Sequence, residues 1–203
     1  TWGNPSIQLC TGTGYNCQMP VRGGLECTGT FVYACWVDDR TTTGVNDVYF
    51  TSSTNNGVNW NADVPLNTPG GNCFMPSLDY ENNNVYVAWQ DDRMAPGSYT
   101  SDIYFAYSNN NGASWQPDQN LDNLPGIPDQ VVELESEGTY VYAMWFDSRR
   151  FGMPGMGDVF FTHSTDSGVT WAMETQINWG SQPNGLQNNM SFMSCGNGYV
   201  NIT

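Results

Sequence analysis

Short apolar segments separated by polar turns run along the chain. In one of them Val85, Val87 and Trp89 occupy one face of an extended strand, and Tyr86 and Ala88 occupy the other. Both alternations are apolar, so a sheet built from such strands has to be covered on both faces. The sequence contains no segment with the period of an amphipathic helix. The pattern therefore predicts an all-β protein.

The apolar segments belong to a repeat of about 55 residues, present in three full copies. Its copies close on Trp60, Trp115 and Trp171. A second repeated position lies 11 residues before the tryptophan of the second strand in each full copy and is occupied by Leu25, Leu78 and Leu134. By the same spacing Met193 is the equivalent residue of the partial fourth copy. In the second copy the pattern predicts strands at 76–81, 84–90, 102–108 and 114–121.

Repeated four-stranded units that need a neighbour on both faces are supplied by a β-propeller, in which blades stack around an axis. We therefore predict a β-propeller of four-stranded antiparallel blades; the alternative is an open β-sandwich array. The partial copies at both ends favour a segment of a larger propeller over a four-bladed ring completed by the two ends. The expected divisions are 1–9 (last strand of a preceding blade), blades at 20–67, 76–124 and 127–179, and 190–203 (start of a further blade).

Each copy closes with the order Ser-x-Asx-x-Gly-x-x-Trp. The serine and Asx oxygens can accept bonds from backbone N–H groups, and glycine permits the positive φ of a tight turn. Two copies have asparagine at the Asx position and so lack the charge of a catalytic acid, which favours a structural role. The residues are Ser53, Asn55, Gly57 and Trp60; Ser108, Asn110, Gly112 and Trp115; and Ser164, Asp166, Gly168 and Trp171.

This order resembles the Asp-box of the sialidase-like (BNR repeat) β-propellers, and the resemblance covers nearly the whole chain. It implies a propeller fold in which the boxes lie away from the catalytic face. Sialidase activity would also require an Arg-Ile-Pro motif and three arginines from non-equivalent blade positions, but the sequence has no Arg-Ile-Pro and its repeated arginines are equivalent. We therefore expect a non-catalytic protein; the alternative is a sialidase-like glycoside hydrolase whose catalytic residues lie partly outside this segment.

A second repeated motif reads Trp-x-Asp-x-Arg and is followed by an aspartate that begins the third strand; it also resembles TolB-type propeller repeats. We expect each arginine to clamp the ends of the second and third strands through bidentate bonds to carboxylates. The residues are Asp38, Arg40 and Asp47; Asp91, Arg93 and Asp102; and Asp147, Arg149 and Asp158. The alternative is calcium, since oxygen ligands could converge in these loops. Its candidate ligands are Asp38, Asp39, Asp47, Asp91, Asp92 and Asp102.

Composition limits the partners. Twenty acidic and five basic residues give a net charge of −15, which argues against nucleic acid. The longest apolar run, 31–37, is far shorter than the roughly 20 residues of a membrane-spanning helix. A glycan or protein ligand is expected instead. Incomplete terminal blades could also support self-assembly, as in a filament or adhesin.

Six cysteines without a CxxC pair favour disulfides and an oxidising compartment. Cys10 and Cys17 close the shortest loop and form the first expected pair. Two glycosylation sequons begin at Asn189 and Asn201. These features predict a secreted or cell-surface protein. Trp179, outside the repeated positions, is a further candidate for binding.

Overall fold

The computed structural model describes residues 9–10, 16–19, 23–97, 100–122, 124, 129–149, 157–178 and 193–202. In this part of the chain every regular element is a β-strand, which confirms the predicted all-β class. It contains no helix that could cross a membrane.

The strands form three antiparallel sheets and one hairpin. The first sheet contains β1 (Cys17–Gln18), β2 (Leu25–Thr28), β3 (Phe31–Thr42), β4 (Val45–Ser53) and β5 (Val64–Pro65). The second contains β6 (Cys73–Glu81), β7 (Asn84–Asp91), β8 (Asp102–Ser108) and β9 (Gln119–Asn120). The third contains β10 (Asp129–Glu137), β11 (Tyr140–Asp147), β12 (Asp158–Ser164) and β13 (Thr175–Gln176). The hairpin is formed by β14 (Met193–Gly196) and β15 (Tyr199–Ile202).

The second and third sheets are meanders in which each strand pairs with the next along the chain. In the first sheet β1 and β2 both pair with β3, so two short strands replace the single first strand of the other sheets. The last strand of the second sheet, β9, is shorter than the predicted 114–121: a tight turn occupies 109–114, and 115–118 are not part of a regular strand. In that turn Asn111 and Gly112 have φ values of 58° and 81°.

The second sheet buries both of its faces, as the alternation of apolar residues predicts. Val85, Val87 and Trp89 pack against the first sheet. Tyr86 and Ala88 pack against the third sheet. Each fully buried valine stabilises the fold by about 1.5–3 kcal/mol relative to an exposed one. The hydrophobic core therefore consists of layers between neighbouring sheets.

The repeated leucine position is buried in two of the three sheets. Leu78 and Leu134 are 2% and 3% exposed, because each packs between two sheets. Leu25 is 58% exposed and belongs to neither of these hydrophobic layers. In this part of the chain the sheets do not close into a ring.

The predicted disulfide between Cys10 and Cys17 is confirmed. The remaining four cysteines are free thiols. They are Cys27, Cys35, Cys73 and Cys195.

Candidate functional site

The sheets have two distinct ends. We call the end at which β3 passes to β4, β7 to β8 and β11 to β12 the loop end. The opposite end, which carries the three Ser-x-Asx-x-Gly-x-x-Trp segments, is the turn end. The arginine motifs lie at the loop end, because the first aspartate of each motif pairs with an aspartate at or near the start of the next strand. The pairs are Asp38 with Asp47, Asp91 with Asp102, and Asp147 with Asp158.

Arg93 lies at the loop end of the second sheet between two carboxylates. Its Nη2 is 2.5 Å from Asp91 Oδ2, and its Nη1 is 2.6 Å from Asp118 Oδ2. Its Cζ lies 3.9 Å from the ring centroid of Tyr104, as in a cation–π contact. Burial opposes the charge of Arg93, but its bonds to Asp91 and Asp118 raise its pKa above the usual value. The guanidinium is therefore held in place as a cation.

Arg40 repeats this arrangement in the first sheet. Its Nη2 is 2.6 Å from Asp38 Oδ2, and its Nη1 is 2.5 Å from Asp63 Oδ2. The Cζ of Arg40 lies 4.1 Å from the ring centroid of Tyr49. Hydrogen bonding to Asp38 raises the pKa of Arg40. Both carboxylates belong to the same copy of the repeat as the arginine.

In the third sheet Arg149 has three carboxylate partners. It pairs with Asp147, and its Nη1 is 2.5 Å from Glu174 Oε1. Its Nη2 is also 2.9 Å from Asp122 Oδ1, which belongs to the preceding copy of the repeat. The Cζ of Arg149 lies 4.0 Å from the ring centroid of Phe160. This arginine therefore links two neighbouring sheets.

The second carboxylate in these clusters differs from the sequence prediction, which named the aspartate that begins the third strand. Asp47 instead accepts a hydrogen bond from Asn67 Nδ2 at 2.8 Å, and Asp158 accepts one from Asn178 Nδ2 at 3.1 Å. In each cluster the guanidinium lies over an aromatic ring of β4, β8 or β12. The arginine therefore extends across that strand and pairs with an acidic residue on its far side. Asp102 is buried and pairs with Asp91 in the β7–β8 register.

The acids beyond the third strand share a position that the sequence analysis missed. Each lies three residues after the closing tryptophan of its copy, so the repeat itself carries the signal. The three acids are Asp63, Asp118 and Glu174.

In the first and second sheets the motif aspartate also accepts a hydrogen bond from the tryptophan two residues before it, whereas Trp145 Nε1 has no such partner among the described residues. Trp36 Nε1 donates to Asp38 Oδ2 at 2.9 Å. Trp89 Nε1 donates to Asp91 Oδ2 at 3.2 Å. The same carboxylates therefore tie the arginine clusters to the hydrophobic layers.

The second aspartate of each Asp-Asp pair holds the backbone of its surroundings. Asp39 accepts hydrogen bonds from the N–H groups of Asn16 at 2.8 Å and Gly44 at 2.9 Å. The bond from Asn16 makes the largest contribution to the lowered pKa of Asp39. Asp92 accepts a bond from the N–H group of Asn72 at 2.6 Å. These carboxylates fix the loops at the loop end.

Calcium binding by these aspartates remains a prediction. The oxygens of Asp38 and Asp91 bind an arginine, and those of Asp39 and Asp92 accept N–H donors. A calcium ion would have to replace these bonds.

A further group of acids is close enough to hold a metal. Ligand atoms of Asp122, Asp147 and Glu174 lie within 4.8 Å of one another. Arg149 pairs with all three. The guanidinium therefore supplies positive charge where a cation would bind.

Two apolar side chains are exposed at the loop end of the second sheet. Phe74 and Met75 of β6 are 37% and 50% exposed, whereas their neighbours Cys73 and Pro76 are buried. Met75 has a φ of 44°, which is unusual for a residue with a side chain. The sequence analysis did not identify these residues, although the order Cys-x-Met-Pro occurs in two copies.

At the turn end, Ser164 and Asp166 organise a tight turn. Gly168 N donates to Ser164 Oγ at 2.9 Å, and the Ser164 hydroxyl donates to Asp166 Oδ1 at 2.7 Å. The hydroxyl of Thr170 donates to Asp166 Oδ2 and lowers the pKa of Asp166 to about 2. Corresponding serine and Asx bonds form at Ser53, Asn55 and Gly57 and at Ser108, Asn110 and Gly112.

Two of the three tryptophans of these segments, Trp115 and Trp171, pack against the neighbouring sheet. The rings of Trp115 and Phe50 meet edge to face with centroids 4.8 Å apart, as do those of Trp171 and Phe105. Each phenylalanine belongs to the preceding sheet. In the first sheet Trp60 Nε1 donates to Gly57 O at 3.0 Å.

Two other predicted positions, Trp179 and the sequon residue Asn189, lie outside the described residues. Asn201 is described and is exposed on β15.

No protein-family model matches the chain, and no curated protein matches its sequence. Solved structures do resemble it. An ulvan lyase of polysaccharide lyase family 25 has a TM-score of 0.58 and 12% identity over 90% of this chain. A Penicillium chrysogenum α-L-arabinanase complexed with arabinobiose has a TM-score of 0.56 and 13% identity over 85%. A Hadza microbial sialidase has a TM-score of 0.55 and 15% identity over 76%.

The chain matches 44%, 53% and 36% of these three proteins, respectively. At such identities the likeness concerns the fold alone. The described sheets of this chain therefore resemble part of the fold of each of these three proteins.

Proposed function

We propose that the protein is an extracellular, non-catalytic β-propeller that binds glycans at the loop end of its blades. The main support for a non-catalytic function is that Arg40, Arg93 and Arg149 all pair with carboxylates of their own chain. A guanidinium bonded in this way cannot also grip the carboxylate of a sialic acid. The fold shared with enzymes that act on carbohydrates supports a glycan as the ligand.

The blades would correspond to 20–67, 76–124 and 127–179, and the Ser-x-Asx-x-Gly-x-x-Trp segments would be their Asp-boxes. The packing of both faces of the second sheet supports this assignment, because stacked blades require it. The disulfide between Cys10 and Cys17 supports an oxidising, extracellular location.

The second candidate function is glycoside hydrolysis, and Asp79 favours it. The Ser136 hydroxyl donates to Asp79 Oδ2 at 2.5 Å. Burial raises the pKa of Asp79 to about 7, and the carboxylates of Glu135 and Glu26 add to the shift. A carboxyl group that stays protonated near neutral pH beside other carboxylates meets one requirement for a general acid.

One set of measurements separates the two functions. The full-length protein is incubated with fluorogenic glycosides, including a sialoside, and its binding to immobilised glycans is measured in parallel. We expect saturable glycan binding without turnover. If the wild type hydrolyses a glycoside and Asp79→Asn abolishes this hydrolysis, the protein is a hydrolase and the non-catalytic function is wrong. Failure to bind any glycan, without turnover, would contradict both.

A further inference from the structure

The exposed pair Phe74 and Met75 results from a β-bulge in β6. Phe74 pairs with Gln90 of β7, but the next pair is Ser77 with Ala88. Three steps along β6 therefore match two along β7, so β6 contains one extra residue. The left-handed backbone of Met75 accommodates this residue, and both side chains project from the sheet at the loop end.

The bulge holds an unfavourable backbone conformation at a residue that is not glycine. Gln90 of β7 is almost fully buried and contacts the bulge, with its Nε2 at 3.7 Å from Met75 Sδ. Strain of this kind persists where surrounding contacts enforce it, and it clusters at binding sites. The first sheet carries the same order at Cys17 to Pro20, and its Met19 is 56% exposed.

We propose that Phe74 and Met75 form the platform on which a neutral sugar unit of the glycan stacks. An exposed aromatic ring beside a flexible thioether offers an apolar, adaptable surface for the C–H face of a sugar ring. This inference rests on the proposed function, whose ligand class it specifies.

The charges of the protein select a neutral sugar over an anionic one. The net charge of −15 repels uronates and sialic acids. Arg93 lies at the same end of the second sheet, but Asp91 and Asp118 already neutralise it. Among the described residues, the arginine cluster of the second sheet therefore has no positive charge left to pair with an anionic sugar.

The test measures binding by calorimetry to two neutral probes, arabinan and galactan oligosaccharides, and two anionic probes, sialyllactose and oligogalacturonate. We expect a neutral probe to bind the wild type more tightly than either anionic probe. Phe74→Ala should weaken that binding by about 10-fold or more, and Phe74→Trp should preserve it. Val58→Ala is the matched control, since Val58 is an exposed apolar residue at the turn end.

Met75→Gly provides an independent readout. Glycine adopts a positive φ without strain, so this variant should unfold at a higher temperature while binding the neutral probe more weakly. A purely structural bulge would give the stability gain without the loss of affinity. Neutral-glycan binding unchanged by Phe74→Ala would overturn the inference and leave the proposed function intact, and so would a preference for anionic probes. Binding of no probe or immobilised glycan would overturn both.

Discussion

Gly112 lies against the ring of Phe50 in the neighbouring sheet. A Cβ atom at Gly112 would stand 2.3 Å from Phe50 Cε1, and the φ of Gly112 is 81°. The same turn places Trp115 edge to face on Phe50. The contact therefore joins a tight turn at the turn end to the hydrophobic layer between the first and second sheets.

We expect Gly112→Ala to destabilise the protein by about 2–5 kcal/mol, because the backbone strain of a positive φ adds to overpacking against Phe50. Gly57→Ala is the control. Gly57 has a φ of 77°, but the nearest atom to its Cβ position is Trp60 Cζ2 at 3.7 Å. Gly57→Ala should therefore lower the free energy of unfolding only by the part that is due to backbone strain. Urea unfolding followed by tryptophan fluorescence measures both, and equal losses would exclude an effect of the contact with Phe50.

Local periodicity explains why much of this fold could be predicted. The alternation from Val85 to Trp89 specifies two buried faces without reference to any distant residue. The turns at Ser53, Ser108 and Ser164 form bonds within a few residues, so their sequence determines their geometry.

Other contacts depend on how strands and sheets are placed. Arg93 lies over Tyr104 and reaches Asp118 across β8; the repeat marks the position of this acid, but nothing in its spacing pairs the acid with the arginine. The bulge at Met75 depends on the register between β6 and β7. Neither contact could be inferred from residue spacing within a single strand.

Loss of Arg93 should be costly. We expect Arg93→Ala to destabilise the protein by about 3–5 kcal/mol, because it leaves Asp91 buried without its cation. Arg93→Lys should give a smaller loss, since lysine keeps the charge but not the paired N–H geometry. Arg40→Ala should also cost less, because the side chain of Arg40 is 22% exposed and that of Arg93 is 12% exposed. Urea unfolding provides the comparison, and a neutral effect of Arg93→Ala would contradict this role.

The free cysteines should differ in reactivity. Cys27 is exposed, so we expect it to be alkylated in the native protein. Cys35 and Cys73 are buried, and burial raises the pKa of both thiols, so they should react only in denaturant. Peptide mass spectrometry after alkylation identifies each site. Native labelling of Cys35 as fast as that of Cys27 would show that the layer between the first two sheets opens readily.

Asp79 should make stability depend on pH between about 4 and 7. Its pKa is raised to about 7 in the folded protein, above the value of about 3.9 in an unfolded chain. The folded state therefore favours protonated Asp79. Its contribution is fully present below about pH 4 and is lost as the pH rises to about 7. Relative to the wild type, Asp79→Asn should gain stability over this interval and change no further above it.

Asp166 provides a control of opposite sign. Hydrogen bonds from Thr170 lower its pKa to about 2, so its contribution is present above the unfolded pKa of about 3.9 and is lost as the pH falls toward 2. Asp166→Asn should therefore be less stable than the wild type at neutral pH, and the difference should shrink in acid. Asn55 and Asn110 occupy equivalent positions, so the turn should still form. Urea unfolding from about pH 2 to 8 measures both variants, and parallel curves for Asp79→Asn and the wild type would rule out a raised pKa for Asp79.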